Sequence, residues 1–177
     1  MKISVIGHTH TLKTLNDLPP RAQLALAEAD LILHVGSVGS LTFLRAIQDK
    51  FGLTFAVYGR QDPGETRRYL EAQKVVEFAN RRIGIVHSGN PSEKNLAPLP
   101  GLKRSTPTPA GLAAQLLSQF DAVDCVVFGH PPQPFNYLHR GVLVFNPGPL
   151  VTTPGQQGAM GVLDITDRVI TGRVVPL

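Results

Sequence analysis

Two histidines, His8 and His10, stand where the apolar run Ile3-Ser4-Val5-Ile6 stops. The arrangement recurs in Leu31-Ile32-Leu33-His34-Val35-Gly36, in Ile83-Gly84-Ile85-Val86-His87-Ser88-Gly89 and in Cys125-Val126-Val127-Phe128-Gly129-His130. Five of the six histidines therefore follow runs of buried-strand character, a distribution that scattered surface histidines would not produce. In an open α/β sheet the carboxyl ends of the strands line one crevice, so side chains distant in sequence converge there. The expected site is one cleft rimmed by His8, His10, His87 and His130.

Two kinds of chemistry suit such a cluster. Residues i and i+2 leave a strand on one face, so His8 and His10 can reach a single ion, with His87 or His130 completing the set. Imidazole ligation points to at most one divalent transition metal, zinc, manganese or nickel, rather than magnesium. The other reading is metal-free, with the imidazoles simply hydrogen-bonding across a cleft. Arg60, after the glycine turn at Gly59, also has two readings. Turned inward, it holds a phosphate or carboxylate by paired hydrogen bonds and repels a second dication; turned outward, it meets solvent or pairs with Asp62. His34 reads as structural, His139 as a turn residue beside Arg140-Gly141, and Asn146 in Asn146-Pro147-Gly148 as a side chain bonding loop backbone at the cleft edge.

The elements that must position these residues alternate. A helix runs from Pro19-Pro20 to Ala29, since proline is tolerated in a first helical turn. Strand Leu31 to Val35 and the turn Gly36-Ser37-Val38-Gly39 follow. Ser40 caps a helix from Leu41 to Phe51, ended by Gly52. Strand Thr54 to Tyr58 leads into Gly59-Arg60-Gln61-Asp62-Pro63-Gly64. Lys74 to Ala79 and Arg82 to Val86 read as a hairpin about Asn80-Arg81. A helix from Ala110 to Phe120 and strands Cys125 to Phe128, Val142 to Phe145, Gly161 to Ile165 and Val169 to Val175 complete a layered α/β pattern. Between Asn90 and Pro109 five prolines and no periodicity predict a loop of about twenty residues, long enough to be functional or else a disordered insertion.

With 177 residues, 42% hydrophobic and 17% charged, the chain is expected to form a single domain over 1–177, with the Pro-rich loop at 90–109. No apolar run reaches the ~18 residues of a membrane span and no charged segment followed by an apolar one opens the chain, so a cytoplasmic location is expected. The lone Cys125 reads as a core residue. Basic residues occur as isolated pairs, Arg67-Arg68, Arg81-Arg82 and Lys103-Arg104, without tryptophan or a base-stacking strand, which argues against nucleic acid as a partner.

In order along the chain, Thr9-His10, His34-Val35-Gly36, Val57-Tyr58-Gly59-Arg60-Gln61-Asp62, Val86-His87-Ser88-Gly89, Phe128-Gly129-His130 and Asn146-Pro147-Gly148 resemble the calcineurin-like metallophosphoesterases. The likeness is to their small branch of bacterial and archaeal phosphodiesterases, which includes the retromer scaffold subunit. The resemblance implies a four-layer α/β/β/α sandwich of two mixed β-sheets, with strand-end loops holding two metal ions and a hydroxide that attacks phosphorus. It also marks departures. The family's bridging aspartate is here Ser37, its first-strand Asp-x-His is His8-x-His10, its Gly-Asn is Gly59-Arg60, its Gly-His-x-His is Gly129-His130-Pro131-Pro132, and the second histidine of its His-Gly-His is Gly89. Only His10, His87 and His130 keep ligand positions.

Two metals about 4 Å apart need negative charge between them, so the expectation is a degenerate member acting by binding a protein partner or a phosphate-like anion. The 90–109 loop with Leu96, Leu99 and Leu102 is the candidate partner contact, Arg60 the candidate anion site, and Ser37, Gly59, Asp62 and Asn146 the residues shaping the cleft. The alternative is a phosphodiesterase or phosphatase using one ion on His8, His10, His87 and His130, with Arg60 in place of the second ion and His87, His130 and Arg60 as the catalytic candidates.

Overall fold

The computed structural model describes residues 1–87, 108–152 and 157–177. Ten strands and four α-helices occur among them: β1 (Lys2–Ile6), α1 (Pro20–Ala27), β2 (Leu31–His34), α2 (Leu41–Phe51), β3 (Thr54–Ala56), α3 (Gly64–Tyr69), β4 (Gln73–Phe78), β5 (Arg81–Val86), α4 (Pro109–Leu117), β6 (Cys125–Phe128), β7 (Phe135–His139), β8 (Val142–Asn146), β9 (Ala159–Ile165) and β10 (Ile170–Pro176). A 3-10 turn, Leu15–Asp17, lies between β1 and α1.

The strands form two mixed sheets of order β10-β9-β1-β2-β3 and β4-β5-β6-β8-β7. In the first, β1, β2 and β3 run parallel; in the second, β5, β6 and β8 do. Alternation along the strands divides the side chains into layers. Ile3, Val5, Leu31 and Leu33 of one sheet meet Ile83, Ile85, Cys125, Val127 and Phe145 of the other in a buried inner layer. The opposite faces are covered by helices. Ile6 and Ile32 pack with Ala22 and Leu26 of α1 and with Phe43 and Ile47 of α2. Val126, Phe128 and Val144 pack with Ala113 and Leu116 of α4. This is the α/β/β/α sandwich of two mixed sheets that the resemblance implied.

The cap on α2 is as its sequence suggests: the Phe43 amide donates to Ser40 Oγ at 3.1 Å, and Gly52 closes the helix at φ 101°. At the β4–β5 hairpin Ala79 and Asn80 both take positive φ, 50° and 57°. Two elements went unforeseen, α3 and β7. Apart from Thr108, which caps α4, and Pro109, its first residue, the expected 90–109 loop lies outside the described residues, with Leu96, Leu99 and Leu102.

Phe145 shows how the inner layer closes. It crosses from β8 onto two glycines of the facing sheet, where a Cβ on Gly161 would lie 2.3 Å from its Cε1 and one on Gly172 would lie 2.8 Å from its Cδ2. Gly161→Ala is therefore expected to destabilise the fold by ~1–3 kcal/mol through overpacking, and Phe145→Ala by ~3–5 kcal/mol through the void it leaves. Urea unfolding checks both.

Candidate functional site

The six parallel strands end on one side, and every residue of the expected cleft follows one of those ends. His8 lies beyond β1, Ser37 beyond β2, Gly59 beyond β3, His87 directly after β5 and His130 after β6, while Asn146 closes β8. All four expected histidines lie in one chain of neighbours: ring centroids are 6.4 Å apart for His10 and His8, 5.6 Å for His8 and His87, and 5.7 Å for His87 and His130. His10 and His130 are exposed at the mouth, His8 is half-buried and His87 is buried.

His87 is the centre of the arrangement. Its Nδ1 lies 2.7 Å from the Val35 carbonyl oxygen. A carbonyl only accepts, so Nδ1 carries the proton and donates. With the imidazole neutral, Nε2 is an acceptor, and the Ser37 hydroxyl 3.2 Å away donates to it. Burial holds the His87 pKa below its ordinary 6.5, against the opposing effect of the Val35 hydrogen bond. The ring fits because glycines surround it. A Cβ would come within 2.5 Å of its Nδ1 from Gly36, 2.6 Å of its Nε2 from Gly59 and 2.8 Å of its Nδ1 from Gly129.

Asp62 was expected to shape the cleft, and the structure gives the means. Its Oδ1 accepts from the Gly39 amide at 2.8 Å and its Oδ2 from the Gly59 amide at 2.7 Å, tying the β2–α2 loop to the β3–α3 loop. Both carboxylate oxygens are thus committed to backbone, and Asp62 is buried. Arg60 is exposed, and no ion pair joins it to Asp62 among the described residues. Asn146 donates from Nδ2 to the Pro131 and Gln133 carbonyls at 2.9 and 3.1 Å and accepts from the Gly148 amide at 2.9 Å, which fixes the turn after His130.

Two contributors were missed by sequence reasoning as site residues. His34 accepts from the Gly36 amide at Nδ1, 3.2 Å away, so its proton sits on Nε2 and is donated to Thr9 Oγ1 at 2.9 Å; Thr9 in turn donates to the Val38 carbonyl at 3.0 Å. This buried chain holds the Gly36–Val38 turn, and the histidine inside an apolar strand was its only sequence signal. Strain gathers in the same place: His8 (φ 60°), Ser37 (55°) and His130 (88°) are in the left-handed region, as are Gly36 and Gly39.

The donor set was tested against the metals that the fold implies. No group of three or more His, Cys, Asp or Glu side chains is arranged to hold an ion among the described residues. Asp62 is turned to backbone and Ser37 brings no charge, so the residues present do not fit a dinuclear centre. One atom is suited to a ligand: His8 Nδ1 is buried and has no hydrogen-bond partner among the described residues. The His8 pKa is lowered to about 4, by burial first and then by His87, His10 and His130.

A sandwich of two mixed sheets with a histidine-lined cleft at the carboxyl ends of its parallel strands defines the metallophosphoesterase class of fold. The chain belongs to the calcineurin-like phosphoesterase superfamily, whose domain it matches over residues 1–168. It is 27% identical over 150 residues to a protein of Methanocaldococcus jannaschii named as a probable metallophosphoesterase, covering 84% of this chain and 67% of that one. Among solved structures it resembles Vps29 of Chaetomium thermophilum (TM-score 0.72, 19% identity, 100% of this chain and 87% of that one). It also resembles an archaeal phosphodiesterase (TM-score 0.70, 19% identity, all of both chains). At such identities the two structures establish the fold. No helix among the described residues is long and apolar enough to cross a membrane.

The buried histidines make stability depend on pH. His34 is lowered from 6.5 to about 3 by burial, opposed by Asp62 and assisted by His87 and His8, and His8 is lowered to about 4. The unfolded chain takes up these protons near pH 6.5 while the folded chain refuses them. Their contribution is therefore complete above pH 6.5 and is lost as pH falls toward 4 and then 3. Urea midpoints are expected to fall from pH 7 to pH 4.5. His34→Asn, which keeps an acceptor for Gly36 but cannot be protonated, is expected to be less stable at pH 7 and to show a shallower fall.

Proposed function

We propose that this chain works by binding, to a phosphate-like anion at its cleft or to a protein partner through the loop at 90–109, and not by two-metal hydrolysis. The observation that carries this reading is the state of two residues of the cleft: Asp62 spends both oxygens on loop amides, and the position of the family's bridging carboxylate is a serine hydrogen-bonded to His87. A carboxylate is what two adjacent dications require between them. The exposed side chains Arg60, His10 and His130 provide the anion contacts at the mouth. A guanidinium there binds an oxyanion through parallel hydrogen bonds without a metal.

A second reading is kept because of one atom. His8 Nδ1, buried and unpartnered, belongs to an imidazole of lowered pKa, which suits a ligand. In that reading one zinc, manganese or nickel ion would be held by His8, His10, His87 and His130 after these side chains turn toward it, since no three of them are arranged to hold an ion among the described residues. Such an ion supplies Lewis acidity and a water of lowered pKa, and Arg60 offsets charge on the phosphoryl oxygens.

The deciding experiment is hydrolysis of a chromogenic phosphodiester with added manganese, zinc or nickel, beside a His87→Ala/His130→Ala double variant. Binding predicts no turnover above the double variant. Metal-dependent turnover that disappears in it overturns the reading in favour of the one-ion enzyme. For the anion site, calorimetry with inorganic phosphate is expected to show binding that Arg60→Ala weakens about tenfold, the loss of a charge-assisted hydrogen bond.

A further inference from the structure

We propose that Ser37 and His87 form a metal-independent nucleophilic pair that cleaves small, uncharged carboxylic esters. It rests on the reading of His87 as free of metal. Ser37 Oγ lies 3.2 Å from His87 Nε2, and His87 Nδ1 is held 2.7 Å from the Val35 carbonyl. Nucleophile, base and a third group that orients the base are the parts that activate a serine. The third group is here a backbone carbonyl, which fixes the required tautomer with the lone pair of Nε2 facing the hydroxyl.

The backbone adds an independent observation. Ser37 sits between β2 and α2 at φ 55°, preceded by Gly36 at 95° and followed two residues later by Gly39 at 81°. A serine held in a strained turn from strand to helix is the local geometry that presents a nucleophile. Here the turn is over-determined. Thr9 receives its hydrogen bond from His34 and donates to Val38, the Thr9 amide donates to the Ser37 carbonyl at 3.0 Å, and Asp62 holds Gly39.

The surroundings select the substrate. Ser37 is 6% and His87 5% exposed, so only a small group can reach the pair. The partner that Ser37 Oγ touches is an imidazole, and no guanidinium or ammonium bonds to it among the described residues, so nothing offsets the charge of a phosphoryl group at Oγ. A neutral carbonyl needs no such offset in its ground state. His8 Nδ1, buried and unpartnered beside His87, takes the carbonyl oxygen when it carries its ring proton.

The reaction balances with water as the sole co-reactant. Ser37 Oγ forms a bond to the carbonyl carbon while its proton passes to His87 Nε2, and the imidazolium is stabilised by Val35 through Nδ1–H. The bond from carbon to the alcohol oxygen then breaks, and that oxygen leaves with the proton from Nε2. A water gives a proton to Nε2 and its oxygen attacks the acyl-serine; Oγ departs, regains the proton, and the carboxylic acid is released.

The test is covalent capture. The full chain in chelator is treated with a small fluorophosphonate probe and digested, and the modified residue is read by mass spectrometry. The expected result is a single adduct on Ser37, absent from Ser37→Ala and formed at least ~100-fold more slowly in His87→Gln, the range general-base assistance supplies. Circular dichroism checks that each variant folds. Because His87→Gln disturbs a packed ring, Ser37→Cys provides a second measurement. Its introduced thiol is expected to react with iodoacetamide at pH 7 at least tenfold faster than a free cysteine, with the buried Cys125 unreactive. No adduct on Ser37, or an adduct whose rate ignores His87, overturns the proposal, as does an introduced thiol no faster than free cysteine. Phosphodiester hydrolysis that needs added metal overturns the binding reading instead, and leaves capture in chelator as a separate result.

Discussion

One hydrogen bond joins the two halves of this protein where its chemistry lies. His87 leaves the end of β5 in the second sheet and donates through Nδ1 to Val35 at the end of β2 in the first, 2.7 Å away in a buried setting. In a low-dielectric position such a bond is costly to leave unmade, so it fixes the distance between the sheet edges and the tautomer of the ring together. The close approach depends on side chains that are missing. Gly36, Gly59 and Gly129 come from three different strand ends, and a Cβ on any of them would fall within 2.8 Å of the ring. These glycines are therefore explained by the volume of one imidazole, with positive φ an added requirement at Gly36 alone.

The same cleft gathers the strained backbone. His8, Ser37 and His130 occupy left-handed conformations that cost a non-glycine residue about 1 kcal/mol or more each. Specific bonds hold two of them in place: the His8 amide donates to Gly36, the Thr9 amide to Ser37, and Asp62 clamps the loops that contain Gly39 and Gly59. The turn after His130 is tied instead through Asn146. Asp62 thus works as a backbone anchor. A carboxylate satisfied by two amides is removed from the pool of metal ligands while it rigidifies the turn carrying Ser37.

Much of the frame could be read from the residue pattern because it rests on periodicity and caps. The β1, β2, β5 and β6 runs, the capped α2 and the placing of histidines at strand ends follow from continuous apolar runs, buried almost throughout, and from Ser40, Gly52 and the glycines beside the histidines. The elements that escaped notice lack those signals. Helix α3 buries little besides Thr66 and carries two arginines, so no apolar stripe marks it. Strand β7 is an edge strand in which Leu138 faces solvent at 65% exposure, which breaks the alternation that would reveal it. The partners of Asp62, Thr9 and His34 were illegible for another reason: the bonds from Asp62 to Gly39, from Thr9 to Val38 and from His34 to Thr9 each span more than twenty residues, and a hydrogen bond of that range leaves no local spacing behind.

The exchange at position 37 is matched by its surroundings. A carboxylate facing His87 Nε2 would draw a proton onto the ring, raise its pKa and make the cleft a place of paired charges. A hydroxyl there removes that pull, and burial then keeps the ring neutral with its lone pair on Nε2. His8, Ser37 and His87 thus meet as uncharged groups in a largely desolvated pocket, the buried Asp62 carboxylate is met by two loop amides, and Arg60 lies exposed. The division is physical: a guanidinium outside keeps its hydration, while inside each polar atom depends on a protein partner, as Asp62 does on two amides and His87 on Val35 and Ser37.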